Sequence, residues 1–271
     1  MTHTTSRRRA HLVAGGFPPG ASAGHDHDYA RLQLLELLAE QEVPASVAND
    51  FGDVERWLPV SQLLITYVAG PYPDAVQCRA IARWLEEGGH WLGLHGTSGG
   101  RAERVEGFRQ RRTVKLDHHA ILGSYFLTHP PICKIRVDVG GGPAALTQGL
   151  PASFVVEDEP YFIELQHRAT TRIVLSADYG AEGVSPTIGT LYESDTSLLP
   201  DGKTRALGYT REVGKGGVTY FALGHCHNAA IRTSRAVDPT DTAPLTFRGS
   251  WEADPFTTLL RNAITWGLAG R

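Results

Sequence analysis

Short apolar runs alternating with helix-length amphipathic segments constrain this chain more than any other feature of its sequence. His11–Gly15, Pro44–Ala48 and Leu63–Val68 read as strands one to three, and His90–Leu94 as a buried fourth strand. Between them, Tyr29–Gln41 reads as a helix with Leu32, Leu35 and Leu38-Ala39 inward. Asp74 caps a second helix running to Glu87, with Val76, Ala80, Ile81 and Trp84-Leu85 inward and Gly88-Gly89 ending it. Strands separated by helices predict a mainly parallel sheet with helices on both faces, an α/β fold. Further along, a basic helical piece is expected near Arg101–Arg112, and strands at Ile132–Val139 and Ile173–Ala177. Gly180–Gly202 reads as a polar loop. Leu207–Val213 and Val218–Leu223 flank Gly214-Lys215-Gly216-Gly217 as a hairpin, and Phe256–Leu268 closes as a helix. With no repeat, linker or low-complexity tract, residues 1–271 are expected to form a single domain.

Composition narrows the function classes. A net charge of −3 offers no field for nucleic acid, and no apolar run approaches the length of a membrane span. Cys78, Cys133 and Cys226 share no CxxC spacing and suit a reducing compartment. Ser6-Arg7-Arg8-Arg9 invites a twin-arginine export reading, but Ala10–Gly16 is too short and glycine-rich for the apolar region of a signal, so a cytoplasmic protein is expected. Twelve histidines point any metal chemistry towards imidazole and carboxylate ligands.

Several motifs sit where strands end. Gly15-Gly16-Phe17-Pro18-Pro19-Gly20 follows a strand, but its two prolines remove the N–H donors a dinucleotide loop needs, and Gly214–Gly217 lacks P-loop spacing. Gly93-Leu94-His95-Gly96 puts an imidazole at the turn after the fourth strand, facing the cleft that such sheets open beyond their carboxyl ends. Leu223-Gly224-His225 repeats that arrangement, with His227 close by, and His25-Asp26-His27 follows the first strand. His129-Pro130-Pro131 and Glu157-Asp158-Glu159-Pro160-Tyr161 add polar groups to the same expected edge. Gly96-Thr97-Ser98-Gly99-Gly100 also matches the G-x-S-x-G pattern of serine hydrolases.

Taken in order, Gly93–Gly96, Leu122–Pro131, Asp158–Tyr161 and Gly214–His225 resemble the ThuA-like (trehalose utilisation) family of the class I glutamine amidotransferase-like superfamily. The sequence departs from that pattern at Gly217, where an arginine is usual, and in Cys226-His227. The resemblance implies a flavodoxin-like three-layer sandwich and a link to sugar metabolism, often of 3-keto-sugars. A glutaminase is not expected, because none of the cysteines stands at the elbow that His95 occupies.

The leading expectation is a metal-assisted enzyme acting on a sugar or keto-sugar by isomerisation, epimerisation or bond cleavage. His25, His95, His129 and His225 are its expected ligands for a divalent ion, zinc or manganese. His95, Glu159 and His225 are the expected catalytic residues, and Thr97, Tyr161 and His227 the expected substrate contacts. Metal affinity is expected to fall as pH drops through roughly 6.5, the ordinary histidine value. The alternatives are a non-catalytic module binding a carbohydrate or a protein, and a serine hydrolase using Ser98. A homodimer is the expected assembly if the chain associates.

Overall fold

The computed structural model describes residues 8–16, 24–108, 110–180, 190–231 and 244–269. Ser6 and Arg7 of the arginine-rich lead-in, Phe17–Gly20 of the first loop, and 181–189 of the long polar loop lie outside the described residues. The strands are β1 Ala10–Gly15, β2 Ala45–Ala48, β3 Leu63–Val68, β4 His90–Leu94, β5 Arg101–Arg104, β6 Arg111–Val114 and β7 Ser124–Thr128. They continue as β8 Cys133–Val139, β9 Ser153–Asp158, β10 Phe162–Leu165, β11 Thr171–Asp178, β12 Thr204–Val213 and β13 Gly216–Phe221.

Nine of these form one sheet in the order β2-β1-β3-β4-β13-β12-β11-β8-β9. The half from β2 to β13 is parallel, and the half from β13 to β9 is antiparallel. The burial follows this division. Every residue of β1, β3, β4 and β13 is buried, because helices cover both faces there, whereas β9 alternates and leaves Val155 and Glu157 to solvent. The helices His27–Glu40 and Asp254–Leu268 pack against each other and on β3, while Ala75–Glu86 packs against β13. Right-handed crossovers carry His27–Glu40 and Ala75–Glu86 to opposite faces, since β1 steps to β2 in one direction and β3 to β4 in the other. The result is the three-layer, flavodoxin-like sandwich, and the reversal of strand order beside β1 opens the crevice where such sheets bind ligands. Among the described residues no helix is long and apolar enough to cross a membrane.

The two expected helices form: the second buries the expected Ala80, Ile81, Trp84 and Leu85 and departs only at Val76, while the first buries the expected Leu38 but turns Leu32 and Ala39 outward. Leu32 is 53% exposed and Val76 46%, whereas Leu34, Leu37 and Leu38 in one helix, and Cys78, Ile81 and Leu85 in the other, are buried. At 3.6 residues per turn, Leu32 lies about 160° around the helix from Leu34, and Val76 about 140° from Ile81. The run Leu32, Leu34, Leu35, Leu37, Leu38 contains two apolar stripes, and only the sheet decides between them. The expected helical piece near Arg101–Arg112 is instead the exposed hairpin β5–β6, turned through Gly107 at φ +81°. Ala75–Glu86 starts as expected: Asp74 accepts from the Val76 and Gln77 N–H groups, and Gln77 accepts from the Asp74 N–H.

Strand β13 enters the sheet by pressing its first residue against the end of helix Ala75–Glu86. A Cβ on Gly216 would stand 1.9 Å from the Gly89 carbonyl oxygen and 2.5 Å from that of Leu85, both backbone atoms with little room to move. Gly216→Ala is therefore expected to lower unfolding free energy by about 1–3 kcal/mol, the usual cost of overpacking. In urea titrations, Gly140→Ala serves as control, because no atom lies within 4 Å of its added Cβ.

Candidate functional site

Strands β4 and β13 run parallel with Leu94 opposite Phe221, so the segments that follow them emerge at one edge. His95 is the first residue past β4 and has φ +40°, a left-handed conformation that few non-glycine residues adopt. The turn can bend this sharply because Gly96 lies against β3, where a Cβ would meet the Val68 carbonyl oxygen at 2.3 Å. The Tyr220 hydroxyl donates to the His95 carbonyl at 2.7 Å and fixes the elbow from below. Ser98 is buried and its hydroxyl lies 2.7 Å from that of Tyr220. No histidine nitrogen is hydrogen-bonded to it among the described residues, so it lacks the base that a serine nucleophile requires. Thr97 likewise turns inward, donating to the Thr66 carbonyl at 2.9 Å.

A buried carboxylate places the second histidine. Asp158 closes β9 and accepts the Gly224 N–H at 2.8 Å, the His225 N–H at 3.0 Å, the Glu159 N–H at 2.7 Å and the Ser250 hydroxyl. One side chain thus sets the spacing of His225 and Glu159. Burial raises the pKa of Asp158, against the hydrogen bonds that favour its charge.

The third histidine, His25, is tied to the same turn, because the neighbouring Asp26 N–H donates to the Cys226 carbonyl at 2.8 Å. Asp26 also caps helix His27–Glu40 through the Tyr29 N–H, and it accepts from Asn228 and Arg248, both at 2.7 Å. Burial opposes ionisation of Asp26, but the hydrogen bonds from Arg248 and Asn228 outweigh it and hold the pKa below the usual carboxylate value. Arg248 also lies over the Tyr29 ring at 3.9 Å.

His25, His95 and His225 meet. Their ring centroids are 5.0, 5.1 and 5.5 Å apart, and one nitrogen from each lies within 4.8 Å of the other two. All three are buried. The His95 Nδ1 is 3.1 Å from the Ala222 carbonyl oxygen. A carbonyl only accepts, so Nδ1 carries the proton and the lone pair stays on Nε2, a buried atom with no hydrogen bond. The His225 Nδ1 is also buried and makes no hydrogen bond, its nearest ionic neighbour being Glu159 Oε1 at 3.6 Å. Desolvation pushes the pKa of His95 down to about 3 and that of His225 well below the ordinary value, so both rings are neutral. Neutral imidazoles are the donors that borderline divalent cations take.

The other expected site residues surround this trio. His129 stands outside it and reaches it through Glu159, whose Oε1 is 3.4 Å from His129 Nδ1. Tyr161 is packed between His95 and Phe126, at centroid distances of 3.9 and 4.2 Å, with its hydroxyl 3.3 Å from His25 Nε2. His227 lies behind His225, with its Nδ1 3.1 Å from His225 Nε2. His27 lies next to the trio, 5.9 Å from His25 by centroid. Sequence reasoning gave no role to Asp26, Arg248 or Ser250. Asp26 was visible between two histidines, whereas nothing in the sequence marks Arg248 or Ser250. Burial raises the thiol pKa of Cys78 to about 11, that of Cys226 to about 12, and that of Cys133 above its ordinary value, which keeps all three protonated and weakly nucleophilic.

The family comparison agrees with this architecture. Residues 21–235 match the family described as ThuA, trehalose utilisation. The fold is similar to that of a ThuA-like protein of Bacteroides uniformis, at 17% identity and TM-score 0.62, covering 97% of this chain and 92% of that one. A ThuA-like protein of Parabacteroides merdae superposes at 14% identity and TM-score 0.60, covering 96% and 89%. The β-galactosidase of Rahnella sp. R3 contains the same fold in part, at 13% identity and TM-score 0.52, over 80% of this chain and 29% of that one. No curated protein matches the chain in sequence. The chain belongs to the ThuA family, within the class I glutamine amidotransferase-like superfamily.

Proposed function

We propose that this protein is an enzyme of carbohydrate metabolism whose His25, His95 and His225 hold a divalent cation, zinc or manganese, beside Glu159. The observation that carries the reading is the convergence of three buried imidazoles, two of them with an uncommitted nitrogen. A buried polar atom left unsatisfied costs about 1–3 kcal/mol. Two such atoms on rings 5.5 Å apart by centroid support a reading in which something binds there. The family's description, trehalose utilisation, supports a sugar or keto-sugar as the substrate class. A cation at this point would polarise a sugar carbonyl or hydroxyl.

The protein's own groups supply the remaining steps. Glu159, partly open to solvent and oriented by the His129 Nδ1, takes or returns a proton at the carbon next to the carbonyl. Tyr161 and Phe126 form an aromatic wall beside the centre. Such a constellation serves isomerisation, epimerisation or elimination alike. A non-catalytic module would bind sugar but show no turnover.

Protein prepared without chelators is expected to carry about one zinc or manganese per chain, because a three-imidazole site holds a single ion. His95→Gln and His225→Gln should each weaken binding by more than about 100-fold, beyond the loss typical of an outer partner. Full turnover of a 3-keto-sugar panel after exhaustive chelation would sink the metal reading. Binding of sugar without turnover would favour the module.

The pH dependence is expected to differ from that of exposed histidines. A cation competes with protons only below the pKa of its ligands, and His95 and His225 have been moved far below 6.5 by burial. Between pH 7 and 5.5 an ordinary imidazole would lose about eightfold in metal occupancy. Here these two rings lose almost none, so total affinity should stay within about tenfold over that range. Isothermal titration at both pH values checks this, and a loss of several-hundredfold would mean that all three rings titrate as if exposed.

A further inference from the structure

His227 is paired through its backbone with Phe247, each N–H donating to the other's carbonyl at 2.9 Å. Its ring is buried against that of Phe247, and its Nε2 lies 2.9 Å from the Pro244 carbonyl oxygen. The carbonyl has no proton to give, so Nε2 carries one, and in the neutral ring Nδ1 holds the lone pair. That Nδ1 is 3.1 Å from His225 Nε2, which can meet a lone pair only as a donor. The proton of His225 is thereby assigned to Nε2. Its Nδ1 keeps the lone pair and makes no hydrogen bond.

We infer that His227 is a positioning residue: backed by the Pro244 carbonyl, it locks His225 in the Nε2–H tautomer and makes Nδ1 the ligating atom. The inference rests on the cation reading above and adds to it the atom and the device that selects it. An imidazole without such a partner interconverts between two tautomers, one of which turns an N–H towards the ion and repels it. Outer partners that fix the tautomer of a ligating histidine are a general requirement of metal sites. Both His227 nitrogens have protein partners, so His227 acts through His225 and does not contact the sugar. His95 is locked by a different route, directly by the Ala222 carbonyl, and presents Nε2. The centre would therefore be built from an Nε2 and an Nδ1, each selected by a backbone carbonyl.

Proton–nitrogen correlation spectra of the metal-free, intact chain with isotope-labelled histidine read each tautomer, and His225→Gln identifies the His225 signals. The expected wild-type result is His225 wholly in the Nε2–H form. His227→Phe keeps an aromatic ring against Phe247 but offers no acceptor. It is expected to give a mixture of both tautomers and a Co(II) affinity lower by about 10–100-fold. His227→Gln, whose amide oxygen can accept, should restore most of both.

A wild-type His225 protonated on Nδ1 overturns the inference, as does a His227→Phe protein with unchanged tautomer and unchanged Co(II) affinity. If the wild type takes up no Co(II), the cation reading fails on its own and the spectra still decide the tautomer. If His227→Phe does not fold, the wild-type spectrum decides.

Discussion

The register between β4 and β13 is the constraint on which the rest of the site depends. Leu94 pairs with Phe221 in a parallel ladder, so the two following segments leave the sheet on the same side. Neighbouring strands lie about 4.8 Å apart, close enough for side chains just past their ends to share a centre. A positive φ at a histidine costs on the order of 1–3 kcal/mol. It persists here because the Tyr220 hydroxyl holds the His95 carbonyl and the Ala222 carbonyl holds its ring. Both anchors belong to β13 or its exit, so one strand supplies the partner imidazole and the supports for the strained one. The fully buried half of the sheet makes this register costly to change, since a slip of one residue would exchange every side chain between faces.

Burial then determines the chemistry. Removing His95 and His225 from water disfavours their cations, and what remains is two neutral rings whose protons are committed to protein partners. Carboxylates do the complementary work at one remove. Asp158 and Asp26 make contacts with backbone N–H groups, a serine, an asparagine and an arginine, and they join the exits of β1, β9 and β13 into one frame. Glu159 carries its Oε1 between two imidazoles, 3.4 Å from His129 Nδ1 and 3.6 Å from His225 Nδ1. Adjacent residues thus face different partners: Asp158 ties backbone N–H groups, Glu159 faces imidazoles, and the direction of successive side chains separates them.

Much of this was legible in the sequence. The runs Leu63–Val68 and His90–Leu94 match their strands to the residue, because a strand buried on both faces leaves a continuous apolar record. His95 and His225 were visible as imidazoles following glycine-containing strand ends, and His25 as part of a His-Asp-His segment after β1. What the sequence could not record was orientation. Leu32 and Val76 are apolar on faces that the sheet never covers, and Arg101–Arg112 carries a helix-like charge pattern on a hairpin turned by Gly107. His129, Tyr161 and His227 fall at the correct edge, yet whether each reaches the centre directly or through a neighbour depends on rotamers and on partners 17 to 136 residues away, such as Pro244 for His227 and His25 for Tyr161. Ser250, which shares Asp158 with His225, sits in a segment without any recognisable motif.

The amidotransferase-like scaffold explains why a histidine stands at the elbow at all. A sharp turn after a parallel strand presents one side chain at the floor of the crevice, whatever that side chain is. With a thiolate there and a base beside it, the turn performs acyl transfer. Here the thiols lie elsewhere, Cys78 and Cys226 buried and protonated and Cys133 at the start of β8, and the elbow carries a neutral imidazole. An imidazole whose proton is held by a backbone carbonyl is poorly suited to act as a nucleophile's base, because its free nitrogen has no serine or cysteine within hydrogen-bonding reach among the described residues. The ring does have two more imidazoles close to it, with centroids 5.0 and 5.5 Å away, on segments tied to the same strand ends. The turn thus presents a lone pair where an amidotransferase elbow would present a thiolate, which is the arrangement that the proposed coordination of a cation calls for.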